Sequence, residues 1–118
     1  MSKWSVEFCE EFDEEFAAFS RNLKTAIALR LEILTVSGPS LGRPIVDTLN
    51  GSKHANMKEL RFSFDGCPWR VAFAFNPNRK AIVLVAANKS GVPQRRFYKT
   101  LIKIADQRFD RYLRNFTG

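Results

Sequence analysis

Two cysteines, Cys9 and Cys67, and one histidine, His54, are the only thiols and imidazole in 118 residues. So few groups at such distant positions exclude a disulfide scaffold and a zinc site, and no metal-ligand spacing is present. Long apolar runs are also missing, and nothing approaches the roughly 20 residues of a spanning helix. The N-terminus turns acidic within its first ten residues, without the basic and apolar regions of a secretory signal. These absences point to a soluble, cytoplasmic protein with both cysteines as buried or half-buried thiols. No Walker loop, dinucleotide fingerprint or nucleophile elbow occurs. A serine or cysteine hydrolase would need His54 as its base, and nothing beside it marks a nucleophile.

What is abundant is phenylalanine. Eleven Phe residues, within 45% hydrophobic and 26% charged residues overall, give an ordinary globular composition. Each ring can bury on the order of 150–250 Å², so one domain over residues 1–118 can build a dense core without staples. The net charge of +7 is unevenly spread: residues 1–20 carry −5 and residues 21–118 carry +12. An excess of that size suits a polyanion partner, nucleic acid before an anionic membrane surface. The plainer alternative is that the bases keep a Phe-rich domain soluble.

Hydrophobic periodicity outlines the elements. Trp4, Val6 and Phe8 alternate with Lys3, Ser5 and Glu7, as in a strand with one buried face. Phe12, Phe16, Phe19 and Leu23 then recur at helical spacing, with acids in the first turns, where the helix dipole favours them. A second helix over Ile27, Leu31 and Leu34, with Asn22 as a possible cap, ends at Gly38-Pro39. The two form a helical hairpin or one bent helix. Residues 37–56 read as a long loop whose Pro and Gly exclude a helix or central strand. Leu60, Phe62 and Phe64, the turn Asp65-Gly66-Cys67-Pro68, and Trp69, Val71, Phe73 and Phe75 make a hairpin. Ala81–Ala87 is a strand buried on both faces. Phe97, Leu101, Ala105 and Phe109 mark an amphipathic last helix. The plan is α+β: a small antiparallel sheet, an N-terminal helical hairpin and a C-terminal helix.

Strand alternation places Glu59, Arg61 and Arg70 on one sheet face, expected to be exposed. Such a group can hold a phosphodiester, since Arg presents a planar fork to phosphate oxygens and a carboxylate accepts a proton. It can equally be a solvated face with paired charges. Lys89, Arg95, Arg96, Tyr98 and Lys99 form a second cluster, in which bases interleave with an aromatic as single-stranded RNA binding requires. A helix start with solvated bases is the alternative. Lys53, His54 and Lys58 are a third basic set; His54 is either a proton carrier near neutral pH or a surface residue.

Gly38-Pro-Ser-Leu-Gly-Arg-Pro44, Leu49–Arg61 with Met57-Lys-Glu-Leu-Arg61 as its most specific part, Trp69–Phe75, Asn88-Lys-Ser-Gly91 and Phe97-Tyr98 together resemble the phage-derived HigB-like branch of the RelE/ParE toxin superfamily. The resemblance implies the toxin of a two-gene toxin–antitoxin module, with a metal-independent and cofactor-free endoribonuclease activity on messenger RNA, usually at the ribosome. It assigns catalysis to Arg70, Lys89 and Tyr98, assisted by Glu59 and Arg61. Some relatives carry a C-terminal His, which this chain lacks, and others have Lys where Glu59 stands. A gyrase-directed ParE-like toxin or a basic RNA-binding module is the alternative function. The implied partners are messenger RNA, the ribosome and a helix-turn-helix antitoxin. An acidic antitoxin segment could cover Arg61, Arg70 and Lys89 in competition with RNA, or the acidic N-terminal helix could meet basic antitoxin surface.

Overall fold

The computed structural model describes residues 4–117. Its elements run β1 (Ser5–Phe8), α1 (Glu10–Ala18), α2 (Arg21–Ser37), a 3-10 turn (Gly38–Ser40), β2 (Val46–Thr48), β3 (Met57–Phe64), β4 (Cys67–Asn76), β5 (Lys80–Asn88) and α3 (Gln94–Thr117). The five strands form one sheet in the order β1-β5-β4-β3-β2. Lys3, a polar member of the expected opening alternation, lies outside the described residues.

The meander β3-β4-β5 is set by tight turns. Asp65 and Gly66 both adopt positive φ, at 54° and 77°, so the β3–β4 turn is a two-residue type I′ connection that matches strand twist. Cys67 and Pro68, expected within that turn, already belong to β4. The resulting register sets Arg61 directly opposite Arg70, and Glu59 opposite Ala72.

Three features depart from the sequence reading. β1 joins β5 in parallel, so the sheet is mixed; the two strands are far apart in sequence and no hairpin dictates their direction. The loop over residues 37–56 contributes β2, a three-residue edge strand antiparallel to β3. The cap of α2 is Ser20, whose hydroxyl accepts from the Leu23 amide at 3.2 Å, rather than Asn22.

Opposed residues share a face, which fixes what each helix covers. Leu60, Phe62, Trp69 and Val71 face α1 and α2: Phe19, at the end of α1, packs edge-on against Trp69, and Arg30 of α2 lies over the Phe62 ring. Phe12, Phe16 and Phe19 pack together as their spacing predicts, and Phe8 of β1 lies against Phe12 and Phe16. Gly38 closes α2 with φ 55° beneath Trp4, where a Cβ would stand 2.4 Å from the indole. The other face, with Met57, Glu59, Arg61, Arg70, Ala72 and Ala74, lies under α3. Ala72 and Ala74 are fully buried there, so β4 is covered on both faces.

A bulge at Ala72/Phe73 leaves Leu84 out of register. Its carbonyl accepts from Arg108 Nη1 at 2.8 Å and from Cys9 Sγ at 3.5 Å. Arg108 also forms a two-pronged pair with Glu15, Arg111 pairs with Glu11, and the Tyr112 hydroxyl donates to Glu7. Two of the five acids of α1, and Glu7 of β1, thus engage the C-terminal half of α3. Burial together with Glu7 pushes the Tyr112 phenol well above its ordinary range. Burial also raises the Cys9 thiol.

Candidate phosphate-binding cleft

Four of the candidate residues meet where α3 begins. Tyr98, on the inward side of α3, donates its hydroxyl to Glu59 Oε1 at 2.8 Å and accepts from Arg70 Nε at 3.2 Å. Arg70 Nε lies 3.5 Å from the same carboxylate, and Arg61 Nε lies 3.6 Å from its other oxygen. The Glu59 side chain is only 5% exposed and Arg70 12%, whereas Arg61 keeps 35%. The expected open sheet face is therefore roofed by α3. Burial of a carboxylate is tolerated here because a phenol and two guanidiniums surround it.

Lys89, just past β5, completes the group. Its Nζ sits 5.4 Å from the centroid of the Tyr98 ring and donates to Gln94 Oε1 at 3.2 Å. A cleft of about 300 Å³ opens over this cluster, walled by Asp47, Thr48, Leu49 and Asn50 on one side and by Gln94 and Tyr98 on the other. At its floor are Glu59 and Arg61. Arg61 Nε is buried without a hydrogen-bond partner, so one strong donor beside the cleft is unfilled. A somewhat larger hollow of about 380 Å³ lies by Glu7, Glu11, Arg111 and Tyr112, whose polar ends already bind one another.

The remaining candidates are distributed around this centre. Arg95, Arg96 and Lys99 are exposed on the first turns of α3. Lys58 points to the other side of β3 and donates to Thr48 Oγ1 at 2.9 Å. Lys53 and His54 are held elsewhere: both bind Asp110, with His54 Nε2 at 2.8 Å and its ring edge-on to Phe109. Asp110 is twelve residues beyond Tyr98, about 18 Å along the helix at 1.5 Å per residue. Lys53, and after it His54, holds the Asp110 carboxyl below the usual carboxylate range. The sequence reading missed Gln94 and the β2 wall. Gln94 was findable, since it stands one helical turn before Tyr98; the wall was not, because Asp47 and Thr48 enter it only through β2 pairing.

Among the described residues, no three His, Cys, Asp or Glu side chains converge as a metal site would require. No helix among them is long and apolar enough to cross a membrane.

A small mixed sheet, roofed by one helix over a buried carboxylate that a phenol and two guanidiniums surround, defines a RelE-like α+β fold. The fold superimposes on a doubly substituted mutant of E. coli toxin RelE in the free state with TM-score 0.61 over 90% of this chain and 97% of that one, at 10% identity. Residues 14–110 match the family described as "Phage derived protein Gp49-like (DUF891)", and the chain belongs to that family. It is 41% identical over 103 residues to "Putative toxin HigB3" of Mycobacterium tuberculosis, covering 87% of this chain and 88% of that protein. A second relative, "Putative toxin HigB2" of the same organism, is 47% identical over 87 residues, which span 73% of this chain and 43% of the relative.

Proposed function

We propose that this chain is the toxin of a toxin–antitoxin module and that it cuts messenger RNA at the ribosome without a metal. The observation that carries the reading is that Arg61 and Arg70 flank Glu59, and Lys89 lies over the Tyr98 ring, beside a cleft lined by Glu59, Arg61 and Tyr98. In-line attack of a ribose 2′-oxygen on the neighbouring phosphorus forms a 2′,3′-cyclic phosphate and breaks the bond to the 5′-oxygen. Glu59 takes the 2′-hydroxyl proton, and the Lys89 ammonium supplies one to the departing 5′-oxygen. Arg61 and Arg70 stabilise the extra negative charge on the pentacoordinate phosphorus. Tyr98 orients Glu59 and Arg70 relative to each other.

Arg95, Arg96 and Lys99 extend the cationic surface along which message and ribosomal RNA would lie. Lys53 and His54 act in this reading as scaffold, tying the loop before β3 to α3. The cellular site of action is the cytoplasm, where its substrate is.

The test is to add purified protein to translating ribosomes and to bare RNA and map the message ends. New ends bearing 2′,3′-cyclic phosphate, produced with ribosomes present, are expected. Intact message together with poisoned gyrase would replace the nuclease reading by a ParE-like one.

A further inference from the structure

Helix α2 carries two apolar stripes. One, Leu23, Ile27, Leu31 and Leu34, is buried in the core. The other, Leu29, Ile33 and Val36, follows the same helical spacing but is 55%, 41% and 72% exposed. Beside it runs a groove of about 330 Å³ lined by Leu29, Arg30, Ile33, Ile45, Arg61 and Phe62. It exists because β2 pairs with β3 only as far as Val46 opposite Leu60. One more bond, from the Arg61 amide to the Ile45 carbonyl at 2.8 Å, ends that edge, and no strand pairs with Phe62 to Phe64 on this side among the described residues.

Every lining residue is either apolar or an arginine. Arg30 keeps its guanidinium 5.1 Å from the Phe62 ring centroid, at the groove wall. Arg61 lines this groove and the catalytic cleft at once. Its Nε is the buried donor with no hydrogen-bond partner, 3.6 Å from Glu59. The groove therefore offers apolar contact and positive charge, with the Arg61 Nε short of a hydrogen bond, and its complement is an amphipathic segment bearing carboxylates. Among the described residues no acid of this chain lines the groove, and Glu11 and Glu15 of its N-terminal helix pair instead with Arg111 and Arg108.

We propose that the α2–Phe62 groove is the docking site for an acidic amphipathic segment of the antitoxin, and that a carboxylate of this segment captures Arg61 and draws it from Glu59. This rests on the toxin reading above. Apolar side chains of the segment cover Leu29, Ile33 and Ile45, while its carboxylate fills the vacant Arg61 donor in a charge-assisted bond. The toxin is disarmed through a residue shared by groove and cleft, and the mouth of the cleft stays open.

The experiment uses the toxin co-purified with the antitoxin encoded beside it. Leu29→Glu combined with Ile33→Glu, both on exposed positions, should weaken antitoxin affinity at least 100-fold while the free variant still arrests growth like the parent. Affinity within twofold of the parent would overturn the docking site. A purified toxin that sediments as a dimer, and becomes monomeric on the same substitutions, would overturn it as well by assigning the groove to a second copy. Capture is read separately with an RNA oligonucleotide carrying 2′-O-methyl groups, which cannot be cut. The complex should bind it within threefold of the free toxin, whereas exclusion by antitoxin would replace capture by steric cover. If the free toxin neither binds nor cuts RNA, the nuclease reading fails, and the affinity arm still decides the groove.

Discussion

The Tyr98 hydroxyl donates to Glu59 Oε1 across 2.8 Å and so ties the start of α3 to the buried centre of the sheet. One contact thereby serves packing and chemistry together, because the carboxylate it holds is the only acid on the cleft floor. Tyr98→Phe should cost about 1–2 kcal/mol of stability by leaving a buried acceptor short of a donor. It should also lower the cleavage rate on the order of 10²-fold with little change in KM. Thermal melting and single-turnover cleavage check the two effects.

Arg70→Ala is expected to abolish cleavage and growth arrest, and to lower stability by roughly 3 kcal/mol, since it strips one of two guanidiniums from buried Glu59. Adding Glu59→Gln removes the stranded charge and should restore much of the melting temperature without restoring activity. A folded Arg70→Ala protein with undiminished cleavage would dismiss the assignment.

At the far end of α3, the Asp110 carboxyl is held low by Lys53 and then His54. A carboxyl depressed by folding contributes stability above its unfolded pKa and loses that contribution as the pH falls through the folded value. Asp110→Asn should therefore melt earlier than the parent near neutral pH, and the gap should close as the pH falls below the ordinary carboxylate range. A gap unchanged at acid pH would mean that packing, not charge, holds this latch.

Arg108 satisfies the Leu84 carbonyl freed by the bulge and pairs with Glu15. Arg108→Ala should cost about 2 kcal/mol, read by denaturant midpoint. Glu15→Gln, which keeps the carbonyl bond, should cost less than half of that.

Chelation should leave cleavage intact, because the cleft floor offers a single carboxylate, and Asp47 in its wall is engaged by its neighbour Thr48's amide and by Arg43. The check is end mapping on bare RNA with EDTA, and on ribosomes in magnesium-controlled buffer. Loss on bare RNA restored by a divalent ion would overturn the metal-free mechanism.

Much of the cleft was legible before folding. Alternation around Leu60 and Val71 put Glu59, Arg61 and Arg70 on one face; the register that opposes the two arginines was not legible, because Cys67 and Pro68 read as turn residues and instead open β4. Helical spacing turned Phe97 inward, and Tyr98 came with it to the sheet side. Roofing of that face was not legible, since Arg and Glu on a strand read as solvent-facing until a phenol and two guanidiniums are found to satisfy the carboxylate between them.

Local chemistry thus decided the helices, strands β1 and β3 to β5, and the excess of positive charge, because side-chain periodicity and turn residues act over a few positions. Tertiary packing alone decided the rest. It ran β1 parallel to β5, drew the acidic helix onto Arg108 and Arg111, and set Lys53 and His54 against Asp110. It also left Arg61 between two hollows. Those partners lie dozens of residues apart, and their pairing depends on which helix settles on which face of the sheet, a competition among distant contacts that no short stretch of sequence encodes.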